Sequence, residues 1–157
     1  MVATPATTAL ETAGIEFTVH SYEITAGDDL SYGEAVAAAL GVQPERVYKT
    51  LVAVVDDEPV VGIVPVTGSL ALKPLARACG GKKASMADPG DAERLTGYVT
   101  GGISPFGQRR ELRMVVDLSV VEHDTLFVSG GRRGIQVEVG PDDLVDLTGA
   151  EIAVIAG

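Results

Sequence analysis

The chain has 157 residues, of which 46% are hydrophobic and 22% are charged, and this composition is typical of one globular domain with its own core. Its formal net charge of −10 argues against extensive binding along a nucleic-acid backbone, because such binding depends on neutralising phosphates. The single cysteine, Cys79, excludes an intrachain disulfide. Because the sequence shows neither an apolar run long enough to span a membrane nor a signal-peptide pattern at its start, we expect a cytoplasmic protein without a membrane partner.

Capping residues and glycines predict the helix boundaries in the first half of the chain. Thr4 is an N-cap that precedes a proline, and Gly14 ends this first helix. Ser31 and Glu34 form a capping box, and the helix that they begin ends at Gly41. Alternating or continuous apolar patterns predict the strands of this half over residues 15–22, 47–55 and 60–66.

Prolines and glycines also divide the second half of the chain. Helices are predicted over residues 70–78, from residue 88 to residue 96, and from residue 141 onward. Strand patterns occupy residues 114–117, 125–128, 135–139 and 151–155. Strands and helices mix without strict βαβ alternation, so we expect residues 1–157 to form a single α+β domain in which a mixed sheet curls into a β-barrel core with flanking helices.

A lysine stands at the mouth of the strand predicted over residues 47–55. Beyond Thr50 both faces of this run are apolar, which indicates a strand buried on both sides. An unpaired ammonium is costly to bury, so Lys49 either extends its amine to water or works in a pocket. The residues alone leave both interpretations open.

Familiar catalytic and metal-binding patterns do not occur in this sequence. His20 and His123 are isolated and Cys79 has no partner, so neither a metal site nor another cofactor site is predicted. Cys79 lies near the C-terminal end of its predicted helix, where the helix dipole raises a thiol pKa, so it is not expected to be a nucleophile. Two glycine-rich segments, residues 101–107 and 129–134, can bring backbone amides close to a carbonyl or an oxyanion. Together these features predict a pocket for an acyl or phosphate group that lacks a protein nucleophile.

Seven of the twelve basic residues fall into three short groups. The groups are Lys82-Lys83, Arg109-Arg110 with Arg113, and Arg132-Arg133. They are either ordinary solvated surface or a small basic rim that holds one end of a nucleic acid or a nucleotide.

Five short motifs follow one another along the chain. They are Val47-Tyr48-Lys49-Thr50-Leu51, Met86-Ala87-Asp88-Pro89, Thr96-Gly97-Tyr98, Gly101-Gly102-Ile103-Ser104-Pro105-Phe106-Gly107 and Val128-Ser129-Gly130-Gly131-Arg132-Arg133-Gly134. Over essentially the whole chain this set resembles the YbaK/EbsC family of aminoacyl-tRNA deacylases, relatives of the editing domain of bacterial prolyl-tRNA synthetases. Within that superfamily it looks most like the YbaK branch, which hydrolyses cysteine mischarged onto proline tRNA.

The resemblance implies an enzyme with a mixed β-barrel and flanking helices, and it implies partners. The expected activity is trans-editing hydrolysis of the ester of mischarged Cys-tRNA(Pro), without a metal or another cofactor. The expected partners are the mischarged tRNA, bound by its aminoacyl-adenosine 3′ end, and prolyl-tRNA synthetase. The family mechanism is substrate assistance, in which the cysteine thiol attacks its own ester carbonyl while the protein positions the ester and stabilises the oxyanion.

The resemblance also assigns roles to individual residues. Lys49 is expected to hold the terminal adenosine or its phosphate near the scissile ester. Gly101 and Gly102 belong to a loop whose backbone amides are expected to orient the aminoacyl carbonyl, so these three residues are the expected catalytic set. The expected substrate-binding residues are Tyr22, Tyr32, Thr50, Ile103, Ser104, Pro105, Ser129, Gly130 and Gln136.

Two of these positions differ from the family pattern. Tyr32 stands where a phenylalanine is expected, and Gln136 stands where the YbaK branch commonly has an aspartate. A glutamine keeps the hydrogen-bonding capacity of the position but loses its negative charge. Gln136 therefore keeps open a deacylase specific for alanine or serine on tRNA, and a non-catalytic module that binds the tRNA end is the other alternative.

Overall fold

The computed structural model describes residues 3–24 and 31–157, in which five α-helices and eight β-strands follow one another. The helices are α1 (Pro5–Thr12), α2 (Tyr32–Leu40), α3 (Leu72–Ala78), α4 (Pro89–Thr96) and α5 (Pro141–Thr148). The strands are β1 (Phe17–Ser21), β2 (Tyr48–Val55), β3 (Glu58–Pro65), β4 (Ala84–Met86), β5 (Arg113–Asp117), β6 (Leu126–Ser129), β7 (Ile135–Val139) and β8 (Glu151–Ala153). Short 3-10 helices cover Pro44–Arg46 and Leu118–Glu122. Within the described ranges no helix is both long and apolar enough to cross a lipid bilayer.

Local capping chemistry sets the helix boundaries. The Thr4 hydroxyl accepts a hydrogen bond from the Thr7 amide (3.2 Å), and the Ser31 hydroxyl accepts one from the Glu34 amide (3.3 Å). Each bond satisfies an amide that the first turn of a helix leaves unpaired. Gly41 ends α2 in the left-handed conformation, with φ of +71°. These boundaries confirm the predicted starts of α1 and α2.

The strands form two sheets that meet at one corner. The first sheet has the order β1-β7-β6 and is antiparallel throughout. The second sheet has the order β4-β2-β3-β5-β8 and is mixed, because β5 runs parallel to both β3 and β8. A single parallel bridge between Val47 and Phe127 connects the two sheets where β2 begins.

The α+β class of the expected fold is confirmed, and the described strands of the expected β-barrel core do not close into a ring. Among the described strands, the edge strands β4 and β8 have three residues each, and neither pairs with β1. Strands this short present few ladder groups for further pairing. The two sheets therefore face each other across a core without a continuous ring of hydrogen bonds.

Apolar side chains fill the space between the sheets and cover the outer face of the second sheet. Val52 and Ile63 from the second sheet pack in one cluster with Val128 and Val137 from the first. On the opposite face of the second sheet, a separate cluster includes Ala53, Val55 and Leu75, the last of which belongs to α3. Neighbouring residues of β2 thus enter different cores, which confirms the prediction that this strand is buried on both sides.

The start of β3 and the existence of β4 differ from the sequence prediction. Strand β3 begins at Glu58 rather than at residue 60, because Asp56 and Asp57 adopt left-handed φ angles of 47° and 71° and make a two-residue turn. Strand β4 was not predicted, since three residues are too few to show a strand pattern, and it is ordered by pairing with β2. Both differences come from pairing between strands rather than from local propensity.

A buried carboxylate fastens the C-terminal segment to the end of β5. Oδ1 of Asp117 accepts hydrogen bonds from the amides of Ile155 and Ala156 (2.9 Å each), and Oδ2 accepts one from the Ser119 amide (3.1 Å). The Asp117 side chain is only 6% exposed. Burial alone would raise the pKa of Asp117, but these hydrogen bonds outweigh burial and hold the pKa below its usual value.

We expect Asp117→Asn to lower the free energy of unfolding by about 1–3 kcal/mol at neutral pH, because an amide group cannot accept at both positions. Since the folded-state pKa of Asp117 is depressed, its carboxylate stabilises the fold above the usual aspartate pKa of about 3.9, and this contribution is lost as the pH falls through the lower folded-state pKa. Urea unfolding at several pH values measures both effects. The exposed Asp124→Asn is the matched control, and equal stabilities of the two variants at neutral pH would contradict the prediction.

Candidate active site

A pocket of about 410 Å³ lies beside the N-terminal half of β2. This volume is in the range of small-molecule sites. Its wall combines the start of α2, the N-terminal half of β2, the segment around the start of α4, the loop after α4, the end of β6 and the start of β7. The lining residues are Ser31, Tyr32, Gly33, Val36, Val47, Tyr48, Lys49, Thr50, Leu51, Val52, Val66, Met86, Ala87, Pro89, Ala92, Thr100, Gly101, Ile103, Ser129 and Gln136.

Lys49 lies in the wall of this pocket. Its backbone pairs with Val64 of β3, and its side chain is half-buried. Within residues 3–24 and 31–157 no carboxylate forms a salt bridge with its amine. A cation without a protein partner in a pocket wall is available to an anionic or strongly polar ligand.

Two polar side chains in the wall are buried without a hydrogen-bond partner. Thr50 is 7% exposed and Gln136 is 6% exposed, and neither Thr50 Oγ1 nor Gln136 Oε1 has a partner among the described residues. An unsatisfied buried polar atom costs about 1–3 kcal/mol, so most such atoms in native proteins find partners. Both residues line the pocket, which makes them natural partners for a polar ligand.

The two glycine-rich segments touch each other at the pocket edge. Gly101 has φ of +89°, and a Cβ at this position would lie 2.7 Å from Nη2 of Arg133. A Cβ on Gly102 would lie 2.7 Å from the Cα of Arg132. Gly102 therefore requires glycine for close approach to backbone, whereas Gly101 requires it for its backbone conformation, since the exposed Arg133 side chain could move aside.

The amides of the first glycine loop differ in availability. Gly102 is buried, it does not line the pocket, and its amide donates to the Val99 carbonyl (2.9 Å). Gly101 and Ile103 line the pocket, and neither amide donates a hydrogen bond within the described residues. The amides that can reach a ligand are thus those of Gly101 and Ile103.

Three predicted site residues, Tyr22, Ser104 and Pro105, do not line the pocket. The Tyr22 hydroxyl contacts the Tyr32 hydroxyl (2.8 Å), and only Tyr32 lines the pocket. Ser104 is fully buried, and its hydroxyl accepts a hydrogen bond from the Phe106 amide (3.3 Å). Pro105 is buried next to it.

The second glycine loop contributes one lining residue and one anchor. The hydroxyl of Ser129, which lines the pocket, accepts a hydrogen bond from the Gly131 amide (3.2 Å). Gly130 is held from two sides: its carbonyl accepts a hydrogen bond from the Thr4 hydroxyl (2.6 Å), and its amide donates to the Ile135 carbonyl (3.0 Å). Gly130 thus fixes the loop rather than facing the pocket.

None of the described lining residues is a histidine, a cysteine, an aspartate or a glutamate. The Tyr48 hydroxyl bonds to Ser119 (2.7 Å), and burial raises the pKa of Tyr48. The pKa of Tyr32 is also raised, first by burial and then by its hydrogen bond to Tyr22. Both tyrosines therefore stay protonated at neutral pH, and the described wall of the pocket contains no general base.

The remaining candidates for chemistry lie elsewhere. His20 contacts Glu138 (2.9 Å) on the first sheet, and burial raises the pKa of Cys79, which lies outside this pocket. Among the described residues no group of histidine, cysteine and carboxylate side chains is arranged to hold a metal ion.

The sequence prediction missed part of the apolar wall. Met86, Ala87 and Pro89 belong to one of the recognised motifs, and this motif was the signal that could have marked them as lining residues. Val36 and Val66 carry no comparable signal, because apolar residues in a helix or a strand are usual in any core.

Comparisons with known proteins agree with this architecture. The family model described as "Aminoacyl-tRNA editing domain" matches residues 30–147. The protein of Enterococcus faecalis named Cys-tRNA(Pro)/Cys-tRNA(Cys) deacylase EbsC is 37% identical over 135 residues, which are 85% of this chain and 82% of that protein. The proline–tRNA ligase of Geobacter sp. is 39% identical over 97 residues, which are 62% of this chain but 17% of the ligase. A crystal structure described as a trans-editing enzyme for prolyl tRNA synthetase superposes with a TM-score of 0.82 at 25% identity, covering 100% of this chain and 99% of that one.

We expect Gly101→Ala to lower the free energy of unfolding by about 1–2 kcal/mol, because an alanine there must adopt a left-handed backbone conformation, with φ of +89°. Gly90→Ala is the matched control, because a Cβ at this position in α4 meets nothing within 4 Å. The control is expected to be neutral or slightly stabilising. Urea unfolding of the two variants tests this, and an equal effect of both would refute the steric argument.

Proposed function

Because the chain belongs to the aminoacyl-tRNA editing domain family, we propose that it is a trans-editing deacylase that hydrolyses the ester of cysteine mischarged onto proline tRNA. The observation that carries this proposal is the chemistry of the pocket wall. The wall offers a lysine, two unpaired polar side chains and free backbone amides, yet none of its described residues is a histidine, a carboxylate or a thiol. Such a site can position and polarise an ester, but it cannot supply the attacking group.

Cysteine esterified to tRNA supplies its own nucleophile. The sulfur attacks the ester carbonyl carbon, the bond from that carbon to the ribose oxygen breaks, and the thiol proton ends on the released ribose hydroxyl. The product is a four-membered thiolactone, which water opens to free cysteine. Attack within one molecule gains on the order of 7 kcal/mol or more from proximity, which removes the need for a protein nucleophile.

The wall residues then divide the remaining work. Lys49 holds the phosphate or the sugar of the terminal adenosine, because its amine is the cation of the wall and has no carboxylate partner among the described residues. The amides of Gly101 and Ile103 donate to the carbonyl oxygen as negative charge develops on it. Tyr32 and Ser129 line the space that the nucleoside occupies, whereas the residues behind the wall hold these groups in place.

Thr50 and Gln136 are assigned to the amino end of the substrate. Their buried oxygens lack donors, and the α-ammonium of an aminoacyl ester carries three N–H donors. A neutral amide at position 136 binds an ammonium less strongly than a carboxylate would. This neutrality also favours a second candidate function, deacylation of alanine or serine on tRNA, because it leaves the amino-acid preference to the size and polarity of the pocket.

The net charge of the chain and its similarity to other proteins indicate which macromolecules it works with. A net charge of −10 disfavours a broad contact with tRNA, so another protein must hold most of that molecule. Prolyl-tRNA synthetase is the proposed partner, since part of this chain resembles part of a proline–tRNA ligase. We keep the expectation that residues 1–157 act as one domain and that they act in the cytoplasm, where aminoacyl-tRNA is made and used.

Lys49→Ala is expected to reduce deacylation of Cys-tRNA(Pro) by about a thousandfold, because loss of a charge-assisted contact to the reacting end removes several kcal/mol of transition-state binding. Lys73→Ala is the matched control, since Lys73 is exposed on α3 and outside the pocket. Both variants should show the circular dichroism spectrum of the unmutated protein. Near-normal turnover by a folded Lys49→Ala protein would contradict the role assigned to Lys49.

A panel of esters is expected to separate the two candidate functions. If the substrate thiol is the nucleophile, Cys-tRNA(Pro) reacts fast, Ser-tRNA(Pro) reacts far more slowly, and S-methylcysteinyl-tRNA(Pro) binds without being cleaved. Single-turnover rates with purified protein measure this order. Rapid cleavage of the S-methyl ester would show that the enzyme activates water, and faster cleavage of Ala-tRNA(Pro) than of Cys-tRNA(Pro) would favour the second candidate. No hydrolysis of any ester, with binding retained, would favour a non-catalytic module.

A further inference from the structure

We propose that three arginines, Arg109, Arg132 and Arg133, bind the phosphates of the single-stranded 3′ end of an RNA where it enters the pocket. We call these residues the loop arginines. The proposal rests on the proposed function for the identity of the RNA, whereas the binding surface itself is argued from position and charge.

Arg133 lies where the surface meets the pocket. Its guanidinium is beside Gly101, and it also sits 4.8 Å above the ring of Tyr32. Both Gly101 and Tyr32 line the pocket. A phosphate bound by Arg133 would therefore stand at the pocket edge, next to the position proposed for the terminal nucleoside.

The other two loop arginines extend this surface along residues 97–102, which they both contact. The backbone of Arg132 packs against Gly102, where a Cβ would lie 2.7 Å from its Cα. The side chain of Arg109 lies over Gly97, and its backbone amide donates to the Thr96 carbonyl (2.8 Å). The loop arginines therefore flank both ends of residues 97–102, the segment that carries part of the pocket wall.

The charges of the loop arginines are not neutralised by the described protein. All three are exposed, and none forms a salt bridge within residues 3–24 and 31–157, where the ion pairs involve other basic residues. One carboxylate touches the same segment, because Glu93 accepts a hydrogen bond from the Thr100 amide (2.7 Å). Guanidinium groups match phosphate oxygens in geometry, so a local excess of free arginine on an acidic protein indicates a phosphate-binding surface.

The remaining basic groups of the sequence lie elsewhere, so the three groups do not form one rim. The amides of Lys82 and Lys83 bind the Asp56 carboxylate (2.9 and 3.0 Å) beyond the far end of β2. Arg113 is paired with Glu151 (2.7 Å), and Arg110 lines a separate depression that includes Asp56. This division provides a pair of lysines remote from the pocket as a control.

The observations favour RNA over an acidic protein segment as the occupant. Tyr32 is 37% exposed and carries the Arg133 guanidinium on its ring. An aromatic ring with a neighbouring arginine is a platform on which bases stack, and stacking together with phosphate contacts is how proteins bind single strands. An acidic peptide offers carboxylates but no bases to stack.

The test measures binding of a fluorescently labelled single-stranded RNA that ends in 3′-CCA and carries no amino acid, so that no hydrolysis is needed. Fluorescence anisotropy titrations at several salt concentrations compare the unmutated protein with Arg132→Ala/Arg133→Ala and with the control Lys82→Ala/Lys83→Ala. Both variants remove two positive charges. Each phosphate contact on a single strand contributes about 0.7 to the slope of log K against log salt, so the arginine variant should lose about 1.4 from that slope and the control should keep it.

Three results would overturn the proposal. They are an unchanged salt slope in the arginine variant, an equal loss in the lysine control, or displacement of the RNA by polyglutamate at equal charge concentration. Arg132→Lys/Arg133→Lys guards against misfolding, because it should retain the slope. Hydrolysis of Cys-tRNA(Pro) is measured separately. A folded protein that binds RNA through the arginines but hydrolyses no ester would overturn the proposed function alone. Hydrolysis without arginine-dependent RNA binding would overturn this inference alone.

Discussion

The pocket depends on the contact between two backbone loops that have no side chains between them. Gly102 packs against the backbone of Arg132 at a distance that excludes even a methyl group. This contact joins the loop after α4 to the turn between β6 and β7, two segments that are about thirty residues apart in sequence. Gly101 and Ile103 in one loop and Ser129 in the other face the same space because the backbones are this close. Any side chain at the contact would separate the groups that the site brings together.

The electrostatic character of the pocket follows from how its wall is built. Strand β2 enters the core with apolar residues on both faces, and only its first residues carry polar groups into the pocket. Apolar surroundings of this kind strengthen the few polar interactions that remain. It also makes unsatisfied groups such as Thr50 and Gln136 costly until a ligand provides partners. Under the proposed function, binding and chemistry are coupled, because the ligand proposed to satisfy these groups also brings the reactive atom.

Sequence reasoning succeeded where structure is decided locally. The caps at Thr4 and Ser31 depend on residues three positions apart, so the helix starts could be predicted from short windows. It failed where partners come from distant parts of the chain. Strand β4 is ordered by β2, and the pairing of the sheet edges, which decides whether a barrel closes, leaves no mark in any one segment.

The candidate site shows the same division. The motifs identified most of the loops that form the pocket, but not which amides of a loop are available: Gly101, Gly102 and Ile103 were all expected at the site, and Gly102 does not line the wall. Whether Lys49 reaches water or a pocket, and which basic groups lie together, required the positions of elements far apart in sequence.

The absence of thiol and imidazole groups from the described pocket wall also affects how such an enzyme can be detected. Activity-based probes carry electrophiles that react with an activated serine or cysteine, and they would find no such group to label here. Among the described lining residues, Lys49 carries the side-chain amine that an amine-selective reagent could modify. Chemical proteomics of this protein would therefore need amine-selective warheads, or photo-crosslinkers carried on an aminoacyl-adenosine scaffold.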